Sequence, residues 1–248
     1  MNDLIASNKR RTVFLMFGFV IFLVAVGLAV GTLIGNGVTG TVIALIISAV
    51  MAMTSYWRSD KIALAVSRAV PADVNEYRRL HNLVEGLCIA GGLPKPQVYI
   101  IHDDAPNAFA TGRNPKNAAI AITTGLLNQM NRVELEGVVA HELSHIKNYD
   151  ILVSTLAVTL VGSIALITDM TLRMMWWNGG RVSRSGDRGD RGNPIAIIGF
   201  VLLLVSPLIA RAMQAAVSRR RETLADVSAV RMTRYPPGLI SALEKLQA

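Results

Sequence analysis

The sequence predicts a mainly α membrane protein with an N-terminal transmembrane hairpin, an α+β soluble domain containing a small sheet, and a second hydrophobic helical hairpin inserted into that domain. Three observations predict it. Hydrophobic residues make up 52% of the chain and mean hydropathy is +0.42, more apolar side chain than a soluble domain usually carries. The excess is gathered into long uncharged runs rather than spread along the chain. From Ser59 to Asp150 the pattern changes to amphipathic helical spacing mixed with short β-branched stretches, as expected of a folded domain in water.

The first run, Thr12 to Ile34, carries no charge and exceeds the roughly 20 residues a helix needs to cross a bilayer. It is too long for the apolar region of a cleaved signal peptide, and a second run, Val38 to Trp57, follows after an uncharged turn. Together they read as a hairpin. Lys9, Arg10 and Arg11 precede it and Arg58, Lys61 and Arg68 follow it, which puts both flanks in the cytoplasm. Tyr56 and Trp57 stand where interfacial aromatics anchor a helix end. Gly27, Gly31 and Gly35 have the spacing of a close helix contact, but small residues are common filler in such helices, so the spacing carries no functional weight. The net charge of +8 gathers at membrane flanks and in one loop, so the expected partner is an anionic lipid surface and not nucleic acid. The one cysteine, Cys88, excludes an internal disulfide and suits a reducing compartment; beside Leu87 and Ile89 it reads as a small buried hydrophobe.

In the soluble segment, Ala72 to Ala90 follows Pro71 with helical spacing through Val74, Tyr77, Leu80, Val84 and Leu87 and ends at Gly91 and Gly92. Pro96 to His102 is the first expected strand, Asn107 to Thr111 the second and Ala118 to Thr123 the third, separated by turn-forming Asp103 to Pro106 and Gly112 to Pro115. The expected sheet is small and antiparallel. Asn131 with Glu134 three residues on is a capping-box start for a helix that runs to about Asn148. Two further apolar runs, Ile151 to Ile167 and Ile195 to Ala210, flank a loop rich in glycine and arginine. Each is short for a span, and Arg181, Arg184, Arg188 and Arg191 in the loop weigh against carrying it across a membrane. The organisation is therefore 1–57 transmembrane hairpin, 58–150 first part of the soluble domain, 151–217 second hydrophobic hairpin, and 218–248 second part of that domain.

The chemistry lies on the capped helix. His141, Glu142, Leu143, Ser144 and His145 form the pattern H-E-x-x-H; residues four apart on a helix project side by side, so two imidazoles can share one metal. Zinc accepts imidazole nitrogen and in catalytic sites keeps a position for water, and Glu142 stands at the edge of such a site, able to take that water's proton. With four histidines and seven glutamates in the chain, chance is expected to produce the pattern ~0.002 times in such a sequence. A third ligand is available at Glu222, and Asp226, one helical turn later, can accept the spare N–H of a ligand histidine and fix its orientation. If the metal binds all three ligands, the runs between them cross the membrane twice or not at all. His81 and His102 have no partner at ligand spacing and read as surface or hydrogen-bonded residues.

Asn107 to Asn117 (NAFATGRNPKN), Ala119 to Leu127 (AIAITTGLL), His141 to Asp150 (HELSHIKNYD) and Arg219 to Asp226 (RRRETLAD) together closely resemble the HtpX family of bacterial membrane proteases, relatives of the CAAX prenyl proteases. The resemblance implies a zincin-like catalytic domain with the second hydrophobic hairpin inserted between the zinc motifs. It implies a zinc endopeptidase of the cytoplasmic (inner) membrane, multi-pass with four spans, acting on misfolded or damaged membrane proteins from the cytoplasmic side. His141, His145 and Glu222 would hold one Zn2+ per subunit, Glu142 would be catalytic and Asp226 would support a ligand. Members of that family continue to a segment with a His-Pro-Pro type motif and an arginine, where part of the active-site wall is expected. Asn107, Ala108 and Phe109 are the candidate substrate-binding strand edge, with Phe109 equally readable as core. Two other readings stay open: a CAAX-type prenyl protease, and an inactive zinc-binding membrane scaffold, against which the intact Glu142 argues.

Overall fold

The computed structural model describes residues 10, 13–14, 16–25, 28, 37–153 and 219–247. Among these, 57–153 and 219–247 form one compact unit, and the earlier residues from 13 to 56 belong to another. In the latter, helix α1 (Met16–Ala25) packs Phe19 and Leu23 against Ala52 of α2 (Gly37–Val66). The stretch Thr41–Arg58 is long and apolar enough to cross a membrane. Ile46, Val50 and Met53 in it are each more than half exposed, while Ser48 and Ala52 are buried. The rest of the expected first span lies outside the described residues, as does the second hairpin apart from residues 151–153, which are helical and buried.

The compact unit is built on a four-stranded sheet in the order β1-β2-β4-β3, from β1 (Val70–Pro71), β2 (Gln97–Ile101), β3 (Ala108–Asn114) and β4 (Asn117–Thr123). This corrects the expected antiparallel sheet: β3 and β4 form an antiparallel hairpin, but β4 folds back between β3 and β2 and pairs with β2 in parallel. Inserting β4 there buries both its faces. Ala118, Ile120 and Ile122 enter the main core while Ala119 and Ala121 face a second cluster with Leu64, which is why β4 reads as an unbroken apolar run rather than an alternating one. The hairpin turn also falls later than expected, because β3 continues through a bulge between Gly112 and Asn114. Gly112 has φ of 133°, backbone that side chains rarely adopt.

Helix α3 (Arg78–Gly91) begins six residues after its expected start. Val70 and Pro71 pair with β2, the Ala72 N–H donates to the Val98 carbonyl, and Asp73 Oδ1 accepts the N–H groups of Asn75 and Glu76. Those local bonds outcompete the first helical turn. Leu80, Val84, Leu87 and Cys88 then face the core, and burial pushes the Cys88 thiol up to about 11. Short α4 (Thr124–Gln129) is capped by the Thr123 hydroxyl, which accepts the Leu126 N–H.

Helix α5 (Arg132–Lys147) crosses the core beneath the sheet, burying Val138, Val139, Leu143 and Ile146. Its expected capping box is present: Asn131 Oδ1 accepts the Val133 and Glu134 N–H groups and Glu134 Oε2 accepts the Asn131 N–H. Two helices from the end of the chain close on it, α6 (Arg219–Thr233) and α7 (Pro236–Gln247). The α5/α7 contact is backbone-close. A Cβ on Gly137 would stand 2.8 Å from the Leu239 backbone, and one on Gly238 the same distance from the Val133 carbonyl oxygen.

Candidate metal centre

Because α5 is helical from Arg132 to Lys147, His141 and His145 lie on one side of it, and each side chain is 15% exposed. Packing of α6 along α5, the most extensive helix contact among the described elements, carries Glu222 and Asp226 to the same place. The two Nε2 atoms are 3.2 Å apart. Glu222 Oε2 is 3.4 Å from that of His141 and 3.6 Å from that of His145. The rings meet edge-to-face at 81° with centroids 4.8 Å apart, so their nitrogens converge while their carbons diverge.

These three donors could hold a metal ion, and their spacing gives a test of fit. A tetrahedral ion bonded at about 2.0–2.1 Å has ligand–ligand edges of about 3.3–3.4 Å, close to the three distances observed. The hydrogen-bond geometry points the same way. His141 Nδ1 is 2.9 Å from Asp226 Oδ1; the tautomer that donates Nδ1–H to that carboxylate presents Nε2 as a lone pair facing the Glu222 carboxylate. Such an arrangement repels unless a cation or a proton stands between them.

Glu142 is half-buried beside the two histidines. Burial raises its pKa, opposed by the fields of His145 and His141 and by a hydrogen bond from the Ala110 backbone, with Glu222 adding to the rise. The Ala110 contact fixes the carboxylate between α5 and β3. At His145, burial disfavours the charged form, but Asp150 and the negative fields of Glu142 and Glu222 outweigh it and raise the pKa. Asp150 Oδ2 is 3.5 Å from His145 Nδ1. Sequence spacing did not single out this aspartate.

Strand β3 is an edge of the sheet. Phe109 packs with Leu64, Ala119 and Ala121, on the opposite sheet face from Ala108 and Ala110, which join the main core. Asn107 lies just before the strand, its N–H donating to Thr123 Oγ1 and its carbonyl accepting from Thr123. His81 Nε2 bonds the Ala72 carbonyl oxygen, 3.1 Å away, outside the cluster, and His102 is exposed.

Comparison with known proteins places the chain in a family. The profile of peptidase family M48 matches residues 75–247. The chain is 46% identical over 245 residues to a "Protease HtpX homolog" of Thermoanaerobacter pseudethanolicus, covering 98% of this chain and 82% of that one. Identity of 46% with the same coverage is found to a "Protease HtpX homolog" of Listeria monocytogenes and to one of Streptococcus uberis. Among solved structures, S. mikatae Ste24p shares the fold with a TM-score of 0.52 at 18% identity; the match takes in all of this chain and 60% of that one. The family carries a metal-dependent chemistry for which the His141, His145 and Glu222 cluster is suited. The chain belongs to peptidase family M48, as a metallopeptidase of the HtpX type.

Proposed function

We propose that the protein is a zinc-dependent endopeptidase of the bacterial cytoplasmic membrane that hydrolyses peptide bonds of misfolded or damaged membrane proteins on the cytoplasmic side. The observation that carries this reading is the convergence of His141 Nε2, His145 Nε2 and Glu222 Oε2 within 3.6 Å of one another, beside a glutamate held by the edge strand. His141, His145 and Glu222 hold one zinc, which when bound polarises the scissile carbonyl and acidifies water. Glu142 takes the proton from the attacking water and returns it to the leaving amine. Asp226 holds His141 in the tautomer that presents Nε2.

The substrate backbone lies along β3. In a β3/β4 ladder where Asn107 pairs with Thr123, Ala108 and Ala110 direct their backbone groups to the free edge, and Ala110 already reaches Glu142. An extended peptide added there passes the catalytic carboxylate. The membrane setting is supported by the exposed apolar face of Thr41–Arg58 and the basic residues that bracket the hairpin.

Zinc stoichiometry of the full chain in detergent tests the ligand set. One zinc per chain is expected for the wild type and a loss for His141→Ala and Glu222→Ala. A Glu222→Ala protein that keeps a full equivalent sinks the third-ligand assignment.

A further inference from the structure

The two imidazoles are supported by different parts of the chain. Asp226 reaches His141 from α6, whereas the group facing His145 Nδ1 is Asp150, five residues later in the same chain. Helical neighbours are three or four apart, so a continuing α5 would not bring the two together. The chain instead stops: Asn148 closes α5 and Tyr149 takes left-handed backbone with φ of 58°, after which residues 150–153 start a new helical turn. A bulky residue in that region is disfavoured by its own Cβ, and the surrounding structure holds it there. The turn returns Asp150 towards the histidine it has just passed. Its side chain is only 5% exposed, and its Oδ2 stands 3.5 Å from Nδ1, just beyond a formed hydrogen bond; a carboxylate taken out of water is retained where it meets a proton donor or a positive charge.

Resting on the metal reading above, we propose that Asp150 is the positioning residue of His145, accepting its Nδ1–H and so fixing the tautomer whose Nε2 faces Glu222 and His141. Asp226 and Asp150 then form a pair, one carboxylate behind each imidazole. With both Nδ1 hydrogens committed, each neutral ring presents its Nε2 lone pair to the three-donor cluster. A cation relieves that cluster.

The test measures zinc affinity of the full chain in detergent by chelator competition, together with the visible absorption of the cobalt-substituted protein and thermal unfolding of the metal-free protein. Asp150→Leu, similar in size but with no acceptor, is expected to weaken zinc binding about 10–100-fold. Asp150→Asn keeps an acceptor of lower strength and is expected to lose about 3–10-fold with a shift of the cobalt bands. The metal-free unfolding temperature of the Asn variant should match the wild type. Unchanged affinity for Asp150→Leu overturns the proposal, as does an equal loss in both variants that follows an equal drop in metal-free stability. If the Leu variant does not fold, the Asn variant decides, and unchanged affinity with unchanged cobalt bands overturns it. His145→Ala in the same assay separates the two levels: if that variant keeps its zinc, the metal reading itself has failed.

Discussion

Phe109 shows how sheet geometry divides the work of one strand. Its ring packs with Leu64, Ala119 and Ala121, so the side chain belongs to the minor core, and the proposed substrate contact at this strand is assigned to the backbone of Ala108 and Ala110. Phe109→Ala should therefore lower stability by about 1.5–3 kcal/mol, read from denaturant unfolding, and leave zinc stoichiometry unchanged. An unchanged stability with impaired peptide binding would reverse that assignment. The metal cluster was readable from sequence because its geometry is local in the first motif: two histidines four apart on a helix must converge, and Glu142 must stand beside them. Glu222 and Asp226 were readable for the same reason within α6. Asp150 was not, because its approach to His145 depends on the left-handed Tyr149, and no spacing rule announces that a tyrosine will adopt it.

At the scale of elements, Glu134 does more than its sequence pattern indicates. The capping box accounts for its bond from Asn131, but its carboxylate also accepts Ser241 Oγ–H and Lys245 Nζ–H from α7, both at 2.7 Å. It thus ties the end of the described chain to the start of the metal-bearing helix. Lys245, Ser241 and the Asn131 N–H hold its carboxyl well below the usual range, at about 2. A depressed folded-state pKa contributes stability that is complete above the unfolded value of 4.5 and is lost as pH falls towards 2. The wild type should accordingly unfold at a higher temperature than Glu134→Gln near neutral pH, with the gap narrowing from about pH 4.5 downward; a gap independent of pH would contradict the ion-pair account. The helix and its cap were legible in Asn131 and Glu134, while the tie to α7 was not, since it joins residues more than a hundred positions apart. The same limit explains the sheet. Each strand's composition was visible, but parallel pairing of β2 with β4 depends on where β4 is inserted, and only its double burial hints at this.

Across the whole molecule, the metal cluster joins segments far apart in sequence: α5 supplies His141, Glu142 and His145, and α6 supplies Glu222 and Asp226. Both belong to one compact unit with a shared core that includes Val139 and Leu143 from α5, Ala229 from α6 and Leu239 from α7. Whatever course residues 154–218 take, a metal bound by both helices needs them on one side of a membrane. The most direct measurement of the central claim compares cleavage of an unfolded membrane-protein substrate by the wild type and by Glu142→Gln, each full chain in detergent and loaded with one equivalent of zinc. The account predicts cleavage by the wild type and a loss of at least about 100-fold in the variant at unchanged zinc content; equal cleavage by the two proteins would contradict it.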